Sequence, residues 1–154
     1  MKKILLGLGL LLVVAGVGYL ASCPCGNVPG AWLFGTEPAS PVNDWSFVND
    51  RDSVPLCQIE VTSWRPHSIN LNCMAEGGEL FLSCSRCAGK YWSDTALSNP
   101  AGRIRAAGTV YPVSFERITE ASLLDRVWLA RLNKIGAQPS PRPDHWWSFR
   151  LRSR

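Results

Sequence analysis

Histidine is scarce in this chain: only His67 and His145 occur in 154 residues. Charged side chains make up 18% of it, and their net excess of +4 is spread evenly. A nucleic-acid binder needs a clustered basic face, so that class is set aside. No glycine-rich nucleotide loop, no G-x-S-x-G elbow and no H-E-x-x-H helix is present. Asp and Glu are scattered over turns and helix faces, which argues against a paired-carboxylate hydrolase. Internal repeats and low-complexity blocks are absent too. What the chain has instead is apolar: hydrophobic residues are 46% of it, with seven Trp and five Phe. That content excludes intrinsic disorder and is enough for one core.

Much of the apolar weight lies at the N-terminus. Lys2 and Lys3 precede residues 4–22, which carry no charge, in the layout of an export signal. The run ends in Leu20-Ala21-Ser22-Cys23, which resembles a bacterial lipobox. That resemblance implies acylation of the Cys23 thiol and cleavage before it. The alternatives are an uncleaved anchor helix, since nineteen residues at 1.5 Å each reach about 28 Å, and simple secretion. In each case, residues 1–22 form a signal or anchor, and the chain is expected on the extracytoplasmic side of the cell envelope, periplasmic in a Gram-negative cell. Membrane lipid is a partner in the first two cases, through Cys23 or the helix. Without residues 1–22 the net charge falls to +2.

Residues 23–52 contain Pro24, Pro29, Pro38 and Pro41 among several glycines, which forbids a long helix and predicts a tether and wrapping arm. Trp32, Leu33, Phe34, Trp45 and Phe47 imply that this arm packs on the domain formed by 53–154. There, alternation predicts strands over 56–62, 68–74 and 80–84, the last two joined through Gly77-Gly78. A short helix over 91–99 follows, then a hairpin of 103–107 and 109–117 turning at Ala107-Gly108. Pro112 places part of the second hairpin strand at a sheet edge or bulge. Thr119 is the expected N-cap of a helix over 120–135, with Gly136 past its end. A strand through Trp147, Phe149 and Leu151 closes the domain. Six strands and two short helices on one core suggest a mainly β, α+β fold: a six-stranded barrel with antiparallel neighbours.

Arg65-Pro66-His67-Ser68, then Gly77-Gly78-Glu79-Leu80-Phe81-Leu82, resemble the opening of the flavin-binding split β-barrel proteins. These include pyridoxamine-phosphate-oxidase-like proteins and deazaflavin-dependent reductases. Gly89-Lys90-Tyr91-Trp92, Asn99-Pro100 and the closing Trp146-Trp147-Ser148-Phe149-Arg150-Leu151 resemble later parts of the same fold. The resemblance implies a homodimer with a flavin ring in its interface cleft. FMN is the implied cofactor; deazaflavin, haem or none are the alternatives. It implies cofactor-phosphate contacts from Ser83, Ser85, Arg86 and Lys90, with Thr62, Arg65 and His67 approaching the ring or its side chain. Trp92 stands where it either stacks on the cofactor or joins the core. Thr62-Ser63-Trp64 is a departure, because related oxidases carry more basic and hydroxyl groups there. Trp64 filling the site is therefore an alternative.

The six cysteines lie at 23, 25, 57, 73, 84 and 87. Cys84-Ser85-Arg86-Cys87 reads as a disulfide, a redox pair or half of a metal site; a second such pair is absent, and further ligands would have to come from Cys57, Cys73 or His67. Cys57 and Cys73 read as buried free thiols. The function expected is electron transfer to a small molecule or quinone, with a non-catalytic envelope lipoprotein that binds a ligand or partner as the alternative.

Overall fold

The computed structural model describes residues 2–21, 24, 26 and 28–154, without the side chains of 2, 20 and 21. Cys23 and Cys25 lie outside the described residues. The elements are α1 (Lys2–Ala21), β1 (Cys57–Val61), β2 (His67–Glu76), β3 (Glu79–Ser85), α2 (Tyr91–Ser98), β4 (Ala101–Ala106), β5 (Thr109–Ile118), α3 (Ala121–Ile135) and β6 (Trp146–Ser153), with a 3-10 turn at Ser46–Asn49. The strands close into a six-stranded antiparallel barrel in the order β1-β2-β3-β6-β5-β4.

The period-2 pattern decides which side chains fill it. Cys57, Ile59 and Val61 of β1 point inward with Leu80 and Leu82 of β3, Ile104 of β4, Val113 and Phe115 of β5, and Phe149 and Leu151 of β6. A second apolar cluster lies outside the wall. There Met74, Phe81, Ile118 and Trp146 are covered by Leu123, Leu124 and Val127 of α3. Both two-residue hairpins use left-handed backbone at their tips, Gly77-Gly78 and Ala107-Gly108. Pro112 pairs with Arg103 of β4, whereas the β5–β6 ladder begins only at Val113. Its missing N–H thus costs no ladder bond, which is how a proline sits inside a closed barrel.

Two expectations are corrected. Helix α3 begins with Glu120, not Thr119, as its N-cap, and no side chain caps it. Its C-terminus does end as expected. Gly136 is left-handed at φ 66°. Its N–H donates to Asn133 and that of Ala137 to Leu132, a Schellman closure. Cys57 and Cys73 are not free thiols; they form a disulfide across β1 and β2, with Cα atoms 5.7 Å apart. Closing the loop between residues 16 positions apart is worth about 3 kcal/mol in the chain-entropy account.

The arm is bonded to the barrel from its start. Gln58 Nε2 donates to the Pro24 carbonyl at 3.0 Å and Asn70 Nδ2 to that of Gly26 at 2.8 Å. Gly30 then exchanges both backbone hydrogen bonds with Ser68, at 2.9 and 2.8 Å. Both polar groups of Ser68 face away from β1, and β3 pairs with β2 only from Asn72 onward. Gly30 therefore occupies the open edge where β2 and β3 have split apart. Further along, the Thr36 carbonyl accepts from Val110, Val42 donates to Ser153 Oγ and Trp45 to Gly78. The arm is a belt around the barrel.

Among the described residues no helix is long and apolar enough to cross a membrane. The uncharged part of α1 with described side chains, residues 4–19, is 16 residues long and spans about 24 Å. All of these side chains are exposed.

Candidate functional site

One end of the barrel collects the ends of β1 and β3 and the starts of β2 and β6. Sequence places most of the chemistry-bearing residues on the loops there, 62–66 and 85–90. Helix α2 draws the two loops together through its first residue, Tyr91, which the sequence reading did not single out as a site residue. The Tyr91 hydroxyl lies 2.7 Å from Ser63 Oγ. The Tyr91 ring sits under the Arg65 guanidinium at 5.2 Å and meets the edge of His67 at 5.0 Å. The Asn99 amide, past the other end of α2, donates to the Thr62 carbonyl at 3.0 Å. Thr62, Arg65 and His67 thus share one corner. His67 is held below the usual imidazole range, first by its burial and then by the charge of Arg65. It is therefore the neutral imidazole at physiological pH.

The second group lies on the β3–α2 loop. Cys84 and Cys87 are joined as a disulfide that closes four residues, a state shared by a structural bridge and by the oxidised form of a redox pair. Inside that loop Arg86 is left-handed at φ 56°, a conformation that costs a non-glycine residue about 1–2 kcal/mol. Its N–H donates to the His145 carbonyl at 3.4 Å. Lys90 folds back so that Nζ lies 3.4 Å from the Ser85 carbonyl. Ser93 Oγ donates to the carbonyls of Cys87 and Lys90 and fixes the turn into α2. Ser85, Arg86 and Lys90 are exposed together. Ser83 lies two residues back on the same outward face of β3, 1% exposed, and its hydroxyl has no hydrogen-bond partner.

The two tryptophans near these loops are placed very differently. Trp92 is 3% exposed and packs on Phe149 at 5.3 Å, so its ring belongs mainly to the core and shows only an edge to a cleft. Trp64 is 88% exposed and fills no site. The cleft beside Lys90 and Trp92 holds about 210 Å³ and is walled by Gly26, Val28 and Asn70. A neighbouring one of about 280 Å³ lies between Arg65, His67, Pro29 and Tyr19. Among the described residues no three His, Cys, Asp or Glu side chains converge as metal ligands.

A larger cleft of about 490 Å³ opens at the far end of β2, beside Ala75 and Lys134. Lys134 Nζ donates to the Cys73 carbonyl at 2.8 Å. Burial pushes its ammonium down from the ordinary 10.5 to about 8, with Asp50 pulling partly back. Between these values the unfolded chain binds this proton more strongly than the folded chain. Stability is therefore expected to rise as pH is raised from about 8 to about 10.5. Denaturant midpoints across that range measure it, and Lys134→Met should remove the rise.

No protein-family model matches the chain, and no curated protein does. Solved structures do. A candidate pyridoxamine 5'-phosphate oxidase from Listeria innocua superposes over 64% of this chain and 82% of its own, at 12% identity and TM-score 0.51. A candidate 5-nitroimidazole antibiotic resistance protein from Bacteroides thetaiotaomicron covers 74% and 82%, at 9% and 0.55. The FAD and heme binding protein from Mycobacterium smegmatis covers 73% and 67%, at 12% and 0.50. At such identities the likeness is one of fold. The chain has the split-barrel fold seen in pyridoxamine-phosphate-oxidase-like proteins.

Proposed function

We propose that this chain is a membrane-anchored, extracytoplasmic split-barrel protein that binds a flavin-type cofactor, FMN by preference, and passes electrons to a small molecule or quinone. The observation that supports this reading is the exposed loop carrying Ser85, Arg86 and Lys90, with Lys90 Nζ at the Ser85 carbonyl and the buried, unpartnered hydroxyl of Ser83 two residues back on the strand. A phosphate needs such a set: a planar guanidinium fork, a point charge and hydroxyl donors. Holding Arg86 left-handed inside a disulfide-closed loop fits a side chain whose aim matters more than its local strain. Bound there, a flavin supplies the hydride and single-electron chemistry.

The protein's own side chains bind and orient. Arg86 and Lys90 hold the anionic end, and Arg65, neutral His67 and Tyr91 flank the approach. The 210 Å³ cleft of one chain is smaller than the roughly 300 Å³ of a usual ligand pocket. A second copy of the chain is proposed to complete the housing of the ring. The disulfides Cys57–Cys73 and Cys84–Cys87 support an oxidising compartment, and the Cys23 motif supports lipid attachment. One observation favours a second reading, a non-catalytic barrel that binds a ligand or partner: residues 26 and 28 of the arm wall the same cleft.

Arg86→Ala is expected to weaken FMN binding by roughly 10- to 100-fold, from the loss of hydrogen bonds worth about 1.5–3 kcal/mol each. Riboflavin, which lacks the phosphate, should lose little. Titration by flavin fluorescence measures both. Equal losses would mean that Arg86 shapes the loop, and a chain that binds neither flavin favours the second reading.

A further inference from the structure

We propose that the face made by the arm and the β1–β2 loop lies against the interfacial layer of a lipid bilayer; this rests on the membrane-anchored reading above. Residues 24–36 contain no charged side chain. Along this stretch Ala31 and Leu33 are buried at 7% and 1%, whereas Trp32 and Phe34 stand out at 41% and 58%. The alternation means that the arm lays one face on the barrel and holds an aromatic pair outward, with ring centroids 6.5 Å apart. Trp64 stands out at the tip of the β1–β2 loop, and the Arg65 guanidinium lies 5.7 Å from its ring centroid.

These pieces are neighbours. Pro29, Gly30 and Ala31 of the arm share one cavity wall with Arg65 and Pro66. Tyr19, near the end of α1, lines that same cavity, so the apolar N-terminal segment reaches the barrel beside the exposed aromatics. Pro24 is buried and its carbonyl is held by Gln58, so the arm is fixed to the barrel a few residues before its exposed aromatics. Trp, Phe and a snorkelling Arg are the residues suited to that layer, where an apolar body and a polar tip are both accommodated.

The test uses the full chain as isolated from membranes, reconstituted into phosphatidylcholine–phosphatidylglycerol vesicles with brominated acyl chains, which quench tryptophan on contact. Flotation with the vesicles reports the anchor, and intact mass tells whether Cys23 or the helix supplies it. Quenching reports the face. Trp64→Phe is expected to remove most of the quenched component and Trp32→Phe a smaller share, whereas Trp128→Phe, on α3, should leave it unchanged. A protein that floats with Trp64 unquenched overturns the docked face and leaves the anchor standing. A protein that does not float overturns both. Lipid-independent, concentration-dependent burial of Trp64 would also overturn the proposal, in favour of a second copy covering this face.

Discussion

Glu60→Ala is expected to destabilise the fold by about 3 kcal/mol and to loosen the arm around Leu33. Glu60 is 9% exposed on the outward face of β1. Its carboxylate accepts from Arg103 Nε at 3.1 Å and Nη2 at 2.7 and 2.9 Å, and from the backbone N–H of Leu33 at 2.5 Å. Alanine removes the acceptor and leaves the Arg103 and Leu33 donors facing a partly dry surface. Breaking a fully buried pair costs about 3–5 kcal/mol. The lower end applies because Arg103 is 29% exposed and keeps Glu37 at 3.4 Å. Urea midpoints give the stability change, and protease sensitivity in residues 34–37 reports the arm. Glu60→Gln retains an acceptor for Leu33 and should cost less. A shift below about 1 kcal/mol for the alanine variant would mean that water replaces these bonds without penalty.

Gly102→Ala should be comparably damaging, by about 3 kcal/mol, although it adds a single methyl group. A Cβ at this position of β4 would lie 2.4 Å from Phe115 Cε2 and 2.5 Å from the Glu60 carbonyl oxygen. The ring can turn, but the carbonyl belongs to the β1 backbone next to the Val61–Gly102 pair. The two strands must therefore separate. Combining the change with Phe115→Leu should recover only part of the loss, because the carbonyl contact remains. Full recovery would show that the ring alone excludes a side chain here. Thermal unfolding of both variants decides it.

The six strands and two short helices were legible because Cys57-Gln58-Ile59-Glu60-Val61 and its counterparts alternate cleanly, and because Gly77-Gly78 and Ala107-Gly108 mark tight turns. Helix α3 was legible from its apolar spacing, but its start was not. Thr119 has the chemistry of a cap, yet backbone geometry at Glu120 sets the boundary. The Cys57–Cys73 bridge joins residues on paired strands, and that pairing depends on register, which no local pattern states. Gly30 filling the gap beside Ser68 was illegible for the same reason: a glycine carries no sign of which strand edge it will meet. Of the candidate site, residue identities on the 62–67 and 85–90 loops were readable, whereas their meeting through Tyr91 was not. The signal available was a hydroxyl-bearing aromatic at the first position of a helix directly after Lys90. Glu60 offered a clearer one, as a lone acid between Ile59 and Val61 while Arg103 flanks Ile104 in the same manner on β4.

The encircling arm also orders events in time. Its bond from Val42 to Ser153 joins positions 111 residues apart, so this part of the arm waits for the last strand to arrive. Contacts of such sequence separation form late, after the loop-closure entropy has been met by other pairings. Until β6 emerges and joins β3 and β5, residues 24–45 have an incomplete surface to settle on. The barrel's wall must therefore assemble before its fastening, and a chain truncated before β6 would leave Val42 without its acceptor on Ser153.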